Sequence, residues 1–388
     1  MNENRKNNVS IKGSCFDPKK PLIIAELGTS HNADIVKAKE MTSAAAQAGA
    51  DCIKFQLVIA DEILHPNTGE VSLPGGKIRL FDRFKALETP IDFFAEIKEY
   101  VESFGLLFLC TPFGLKSASM LRKIDPKIIK IASPELNFTG LLNKVAGWKL
   151  PVLLSTGVSM LKDIERAVEI FREKTENAEE IEKSQSSIPV SSLCLLHCVT
   201  SYPAPVTDYN LRVLPNLAAI FGVPVGVSDH SADPELVPAL SVSMGAAVIE
   251  KHFCISRTDP GLDDPIALPP EDFSKMVKAI RTAAETGPEQ TISLYSRGRT
   301  DTLIEQILGD GIKKLAPSEK ANYRFTNRSI HALRDIAAGE VLKRSDYAVL
   351  RTEKNLRPGL EPHWEAEIEG RAARCFIPSG QGIRFEDI

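Results

Sequence analysis

No stretch of this chain approaches the roughly 20 consecutive apolar residues of a membrane-spanning helix. Positive charge is not in excess either. The 388 residues carry a formal net charge of -4, which argues against general nucleic-acid binding. Net acidity still permits a local basic cluster around a bound anion. There is no Gly-x-x-x-x-Gly-Lys-[Ser/Thr] loop for a nucleotide triphosphate. A Gly-x-Ser-x-Gly elbow and an evident acyl-transfer triad are also missing. Cysteine is scarce: 7 residues, odd in number and scattered from Cys15 to Cys375, mostly inside apolar runs. That pattern fits free thiols in a reducing cytoplasm. Cys194-Leu195-Leu196-His197-Cys198 has the look of a zinc motif, but it reads as a strand with no second ligand pair nearby. Residues 1–20 are polar and lack an apolar h-region, so a signal peptide is not expected and a cytoplasmic location is.

What the chain does have is alternation, and its hydrophobic content of 43% is enough for a large core. Short apolar runs at Leu22–Leu27, Cys52–Leu57, Leu106–Cys110, Ile128–Ala132, Val152–Ser155, Leu193–Val199, Val223–Val227 and Ala247–Lys251 read as strands. Helical patterns at Ala33–Ala48, Ile91–Phe104, Leu115–Lys123, Met160–Lys174, Pro234–Met244 and Glu271–Thr286 fall between and after them. Eight strands alternating with helices predict an α/β fold, a TIM (β/α)8 barrel over 21–287 after an N-terminal extension at 1–20. A doubly wound open sheet is the competing arrangement. Asn137–Gly147 reads as a weak helix, and Leu211–Phe221 as one broken by proline. Arg172–Ser187 reads as a charged, solvated insertion, and His65–Leu80 as a long loop able to act as a lid. A polar connector (288–323) leads to a small β-rich domain at 324–388, with β-like runs at Arg328–Leu333, Val349–Leu350 and Cys375–Ile377.

Polar residues close several of the apolar runs. Lys54 and Gln56 share one strand face, as do Ser228 and His230, and Glu250 and His252. Glu26, Thr111, Ser133, Glu135 and Ser155 sit at equivalent ends. Burying such groups without partners is costly, and a barrel would gather them at its C-terminal mouth. Satisfied core polar groups are the competing reading for any single residue. Two imidazoles on the last two strands suit one divalent metal. Hydroxyls with Lys130 suit a phosphate-bearing anion.

Taken in order, Ile24–Gly28, Ile53–Gln56, Thr111–Phe113, Lys130–Glu135, Leu154–Gly157, His197-Cys198 with Tyr202-Pro203, Gly226–Ser231 and Glu250–Phe253 resemble the sialic acid synthase family. Asn327–Ile330 and Asp335–Glu340 resemble that family's antifreeze-like (SAF) domain. The resemblance spans about residues 20–388. It implies condensation of phosphoenolpyruvate with an open-chain 2-acetamido sugar, releasing phosphate and forming a nine-carbon 2-keto acid. It implies a divalent metal, Mn²⁺ foremost with Mg²⁺ or Co²⁺ as substitutes, held by His230 and His252 with water and the aldehyde oxygen. By the same resemblance, Lys130, Thr111, Ser133, Ser155 and Ser228 hold the phosphate. Glu26, Lys54, Gln56, Glu135, Tyr202 and Asp263 lie near the acceptor, the reacting carbons or the attacking water, with Thr200 beside them. Glu26, Glu135 and Asp263 are the candidates for positioning that water. Glu250 reads either as a group orienting His252 or as a buried ion pair with a basic neighbour. Arg328 matches an arginine that reaches a neighbouring subunit's site, implying a domain-swapped homodimer.

Three stretches depart from the family pattern. Thr200 stands where many members carry Asn or Ser. The loop Thr68–Gly76 and the stretch Asn355–Pro362 also differ. All face the acceptor or the lid, so they bear on the sugar more than on the reaction. N-acetylmannosamine and a 2,4-diacetamido-trideoxy hexose, the precursor type of legionaminic or pseudaminic acid, are both open as acceptors. Two other readings are a barrel condensing phosphoenolpyruvate with a phosphorylated aldose and a non-catalytic carbohydrate-binding protein. The first lacks an arginine-rich second phosphate pocket. The second leaves His230, His252, Lys54 and Lys130 without a role.

Overall fold

The computed structural model describes residues 8–73, 76–181, 193–298 and 301–388. Eight parallel strands close into a barrel: β1 (Leu22–Gly28), β2 (Cys52–Leu57), β3 (Leu107–Pro112), β4 (Ile129–Ile131), β5 (Val152–Ser155), β6 (Leu193–His197), β7 (Val225–Asp229) and β8 (Val248–His252). Each strand pairs with the next in sequence and β8 pairs with β1, so the open-sheet alternative is excluded. A helix follows each strand: α1 (Ile35–Gln47), α2 (Ile91–Ser103), α3 (Leu115–Arg122), α4 (Thr139–Ala146), α5 (Leu161–Ile181), α6 (Val213–Phe221), α7 (Leu236–Ser243) and α8 (Pro270–Thr286).

Strand side chains alternate in direction, and this alternation layers the barrel interior. Leu22, Ile24, Cys52, Leu109, Ile128, Leu153, Cys194, Leu196 and Val248 form an apolar lower layer. Two residues on from six of them stand Glu26, Lys54, Thr111, Lys130, Ser155 and Glu250. The interior therefore turns from apolar to polar along the strand direction.

Several expectations need correction. The N-terminal extension is not merely polar: a hairpin of Val9–Ile11 and Ser14–Phe16 buries Val9, Ile11 and Phe16 against the apolar lower layer. Arg172 to Ile181 is no insertion but the continuation of α5; residues 182–187 lie outside the described residues. Pro215 does not break α6, because it falls in the first turn, where a backbone N–H has no intrahelical acceptor. His65–Leu80 contains a 3-10 turn at Pro66–Thr68 and a hairpin pairing Glu70–Leu73 with Gly76–Arg79.

The connector carries α9 (Pro288–Ser296) and α10 (Asp301–Leu308), which bury Tyr295, Ile304, Ile307 and Leu308 in the main core. Beyond it, β9 (Arg328–Ala332) and β10 (Tyr347–Arg351) pair antiparallel. Ile330, Ile336, Leu342, Val349, Ile368, Ile377 and Ile383 are buried in this C-terminal domain. Cys375–Ile377 makes no strand, only a bridge from Ile377 to Ile336.

The C-terminal domain caps its own chain's barrel. The Asn355 amide donates to the carbonyls of Thr68 (2.6 Å) and Glu70 (2.7 Å). Arg328 is buried against Glu135 of the same chain, with Nη2 and Oε1 2.8 Å apart. Within one chain Arg328 thus anchors the cap to the barrel through Glu135. Among the described residues no helix is long and apolar enough to cross a membrane.

Candidate active site

The barrel mouth and the cap enclose a cavity of about 550 Å³. Glu26, Lys54, Gln56, Lys130, Ser133, Ser155, Thr200, Tyr202, Ser228, His230, Glu250, His252 and Asp263 all line it. The strand ends bring these together as the alternation predicts. Three expected residues, Glu135, Arg328 and Thr111, lie elsewhere. Glu135 is fully buried beneath the cap, where Oε1 accepts from Arg328 Nε (2.9 Å) and Arg351 Nη2 (2.6 Å). Arg328 spends its remaining donors on the carbonyls of Glu62, Phe113 and Val349. Thr111 opens onto a side lobe of about 260 Å³, not onto the main cavity.

The floor is an ionic cluster shut away from water. Lys54 Nζ lies 2.8 Å from Glu26 Oε2 and 3.1 Å from Glu250 Oε1. Lys130 Nζ lies 3.4 Å from the same Glu250 oxygen. Ser228 Oγ donates to it at 2.9 Å. Glu250 is thus the ion-pair partner of two lysines rather than a group orienting His252. Burial alone would raise the Glu250 carboxyl; Lys130 and Lys54 outweigh burial and hold it well below the usual carboxylate range. Burial also pulls down the Lys130 ammonium, against the attraction of Glu250 and with the repulsion of Lys54. For Lys54 the two carboxylates win over burial, and its value rises.

Among the described residues, three buried hydroxyls at the barrel mouth have no hydrogen-bond partner within the protein: Ser155 Oγ, Thr111 Oγ1 and Thr200 Oγ1. A hydroxyl left so in a folded core is a donor available to something else. Ser133 Oγ accepts from Gly157 N at 3.0 Å and touches Cys198 Sγ at 2.9 Å. Gly157 is required here, because a Cβ would sit 2.2 Å from Thr200 Oγ1 and 2.7 Å from Cys198 Sγ. The cysteine of the zinc-like motif is thus packed against Ser133. Its histidine, His197, meets the Tyr209 carbonyl through Nε2 at 2.6 Å.

Opposite the lysines stand the two imidazoles, with ring centroids 5.7 Å apart. His230 Nδ1 donates to the Val199 carbonyl at 2.8 Å, which leaves the Nε2 lone pair near Ser228 (3.4 Å) and Tyr202 (3.3 Å). Burial lowers both imidazoles, with His230 and Lys54 adding to the effect at His252, so both are neutral at pH 7. Neutral imidazoles with free lone pairs fit a divalent cation. No group of three or more His, Cys, Asp or Glu side chains forms a complete cage among the described residues. Asp263 Oδ2 lies 3.8 Å from His252 Nδ1. Burial, followed by Glu26 and Asp264, raises the Asp263 carboxyl to about 7.

Sequence reasoning found only part of the roof. Asn355, at the start of the departing stretch Asn355–Pro362, faces the cavity, and so do Arg351, Glu353 and Lys354 of the cap with Asn322 and Thr326 before it, which the sequence reading missed. It also missed Glu319 of the connector, whose Oε1 accepts from Val158 N (2.8 Å) and Thr200 N (2.7 Å) and so ties two strand-end loops together. No local pattern marks these residues; only the packing of the cap and connector does.

A closed parallel barrel with charged and hydroxyl groups converging at the C-terminal ends of its strands defines an α/β-barrel enzyme. The chain belongs to the NeuB family, whose model matches residues 41–290, and residues 327–388 match the SAF domain. Spore coat polysaccharide biosynthesis protein SpsE of Bacillus subtilis is 33% identical over 95% of this chain and 93% of its own. Its crystal structure superposes with a TM-score of 0.79 at 30% identity, over 98% of this chain and 99% of that one. N,N'-diacetyllegionaminic acid synthase of Legionella pneumophila is 32% identical, over 100% and 99% of the two chains. A pseudaminic acid synthase of Campylobacter jejuni is also 32% identical, over 97% and 98%.

Proposed function

We propose that the chain condenses phosphoenolpyruvate with an open-chain 2-acetamido sugar, releasing phosphate and forming a nine-carbon sialic-acid-type 2-keto acid. One observation carries the reading: buried lysines and an unbonded serine hydroxyl face two neutral imidazoles across one cavity. The relatives' names support a synthase of this product class.

In this reading Lys130, Ser155 and Ser228 hold the phosphate, with Ser133 behind them. Glu250 keeps both lysines charged despite burial. Glu26 fixes Lys54 and Gln56 beside the reacting carbons, with Gln56 Nε2 donating to Glu26 Oε1 at 2.6 Å. Thr200 and Tyr202 face the acceptor. A divalent cation held by His230 and His252, manganese in the first instance, supplies Lewis-acid polarisation of the aldehyde when bound. The methylene carbon of phosphoenolpyruvate forms the new bond to the aldehyde carbon as the aldehyde π bond opens, the aldehyde oxygen gains a proton to become a hydroxyl, and water adds at C2. Asp263, with its carboxyl raised to about 7, takes the proton from that water. The carbon–oxygen bond then breaks and phosphate leaves onto Lys130.

The test is phosphate release from phosphoenolpyruvate with Mn²⁺, with and without acetamido sugars, and product mass by spectrometry. Acceptor-dependent release with a matching nine-carbon keto acid is expected. Release that ignores the acceptor, or none with any acetamido sugar, overturns the reading.

A further inference from the structure

The connector reaches His230 through a single peptide group. The Val199 carbonyl and the Thr200 N–H belong to one planar unit. Its carbonyl accepts from His230 Nδ1 at 2.8 Å, and its N–H donates to Glu319 Oε1 at 2.7 Å. Carboxylate, peptide and imidazole therefore form one hydrogen-bonded chain. Glu319 itself is 1% exposed, closes a 3-10 turn at Pro317–Glu319 and does not line the cavity.

Other connector groups hold the same loops. Asn322 Nδ2 donates to the Thr200 carbonyl at 2.9 Å, so both backbone groups of Thr200 are fixed from the connector. Glu319 Oε1 also accepts from Val158 N at 2.8 Å, and Asn327 Nδ2 donates to the Val158 carbonyl at 3.1 Å. Val158 has a φ of 42°, a left-handed conformation that is an outlier for a β-branched residue. Such strain persists only where the surroundings over-determine the backbone. Ala316 N anchors the other carboxylate oxygen at 3.1 Å. The carboxylate is therefore a fixed point to which the loops conform.

A negative oxygen on the N–H side of a peptide makes its carbonyl a stronger acceptor, because hydrogen bonds in a chain polarise one another. A stronger acceptor at Nδ1 keeps the ring proton there. Nε2 then holds the lone pair, beside Ser228 and Tyr202. Tyr202 stacks on the ring with centroids 4.4 Å apart, which fixes its plane. Resting on the function proposed above, we propose that Glu319 is a positioning residue for the metal site. Through the Val199–Thr200 peptide it sets the tautomer and direction of His230.

The experiment compares the full-length protein with Glu319→Gln, which keeps the shape and one acceptor oxygen but loses the negative charge. In metal-free wild type, nitrogen-15 NMR of the histidine rings should find His230 protonated at Nδ1. In the variant the Nε2–H form should gain population, and the calorimetric Kd for Mn²⁺ should rise by about 10- to 100-fold. A merely structural role would lower the melting temperature and the Mn²⁺ stoichiometry. It would leave Kd and the ring signals of the folded fraction unchanged, and that result overturns the proposal. An Nε2–H form at His230 in the wild-type protein overturns it without any variant. Wild-type protein that takes up no Mn²⁺ overturns the metal reading itself, and with it this role of Glu319.

Discussion

Lys251 Nζ and Asp229 Oδ2 lie 2.6 Å apart, and neither side chain reaches solvent. Both belong to the strands that carry the imidazoles, one residue before His252 and His230, and so point out of the barrel rather than into the cavity. The Tyr209 hydroxyl donates to Asp229 Oδ1 (2.6 Å) and accepts from the backbone N–H of His230 (2.7 Å). Lys251 further donates to the carbonyls of Ser231 (2.6 Å) and Asp233 (3.1 Å). The network fastens the end of β7 to β8 from behind. Lys251→Met strands a buried carboxylate and should destabilise the fold by about 3–5 kcal/mol in chemical denaturation. The double change Asp229→Asn with Lys251→Met should recover part of that loss. Tyr209→Phe should weaken Mn²⁺ binding, read by calorimetry, by about 10- to 100-fold. Unchanged stability in Lys251→Met would show that the pair is not holding the strands.

The Glu135 contacts set up a sharper choice. If Glu135 positions water, Glu135→Gln abolishes turnover and leaves stability alone. The structure has it neutralise Arg328 and Arg351, and Arg328 is fully buried. Glu135→Gln should therefore cost about 3–5 kcal/mol, because two guanidinium groups lose their counter-charge. Hydrogen exchange should speed at Arg328–Ala332 as the cap loosens. A stable variant with no turnover would return Glu135 to the chemistry.

Glu135 and its two arginines mark the limit of what sequence discloses. The barrel was legible because every strand repeats one physical pattern, an apolar run whose inward residues turn polar at one end. Register then carries Lys54, Lys130, Ser155, Ser228 and Glu250 to one mouth with no further information. Glu135 lies in the same kind of motif, yet its partners are about two hundred residues away in the chain, and nothing local separates an ion-pair anchor from a catalytic base. The cap residues Arg351, Glu353 and Lys354 are invisible for the same reason. The N-terminal hairpin was missed because only Val9, Ile11 and Phe16 are buried among polar neighbours, too few for a periodic signal.

Ser155 allows binding to be separated from folding. Its Oγ is buried and has no partner within the protein, so Ser155→Ala removes nothing the fold uses. Stability should stay unchanged or rise slightly. A hydrogen bond to a charged group contributes about 1.5–3 kcal/mol, so phosphoenolpyruvate affinity should drop by roughly 10- to 100-fold. Calorimetric titration alongside thermal unfolding reads both quantities. An undiminished affinity would remove Ser155 from the phosphate site.

Acid should act on stability through buried imidazoles far from the cavity floor. Burial, with a further push from Lys37, lowers His31 to about 4. Its Nδ1 accepts from Ala33 N at 3.1 Å, its Nε2 has no partner, and its ring packs 4.8 Å from that of Phe93. The unfolded chain restores an ordinary imidazole value of about 6.5. Above that pH both states are neutral, and the contribution of His31 to stability is fully present. As pH falls from about 6.5 to 4 the unfolded state takes up a proton that the folded state refuses, and stability drops by about 1.4 kcal/mol per unit. His331, lowered by burial to about 4, adds a drop of the same sign. His31→Phe keeps an aromatic ring against Phe93 and removes one such proton. Relative to wild type, the variant should therefore gain about 2 kcal/mol between pH 7.5 and pH 5 in denaturant unfolding. A stability difference that stays constant across that interval would mean that His31 already shares its proton with the folded state.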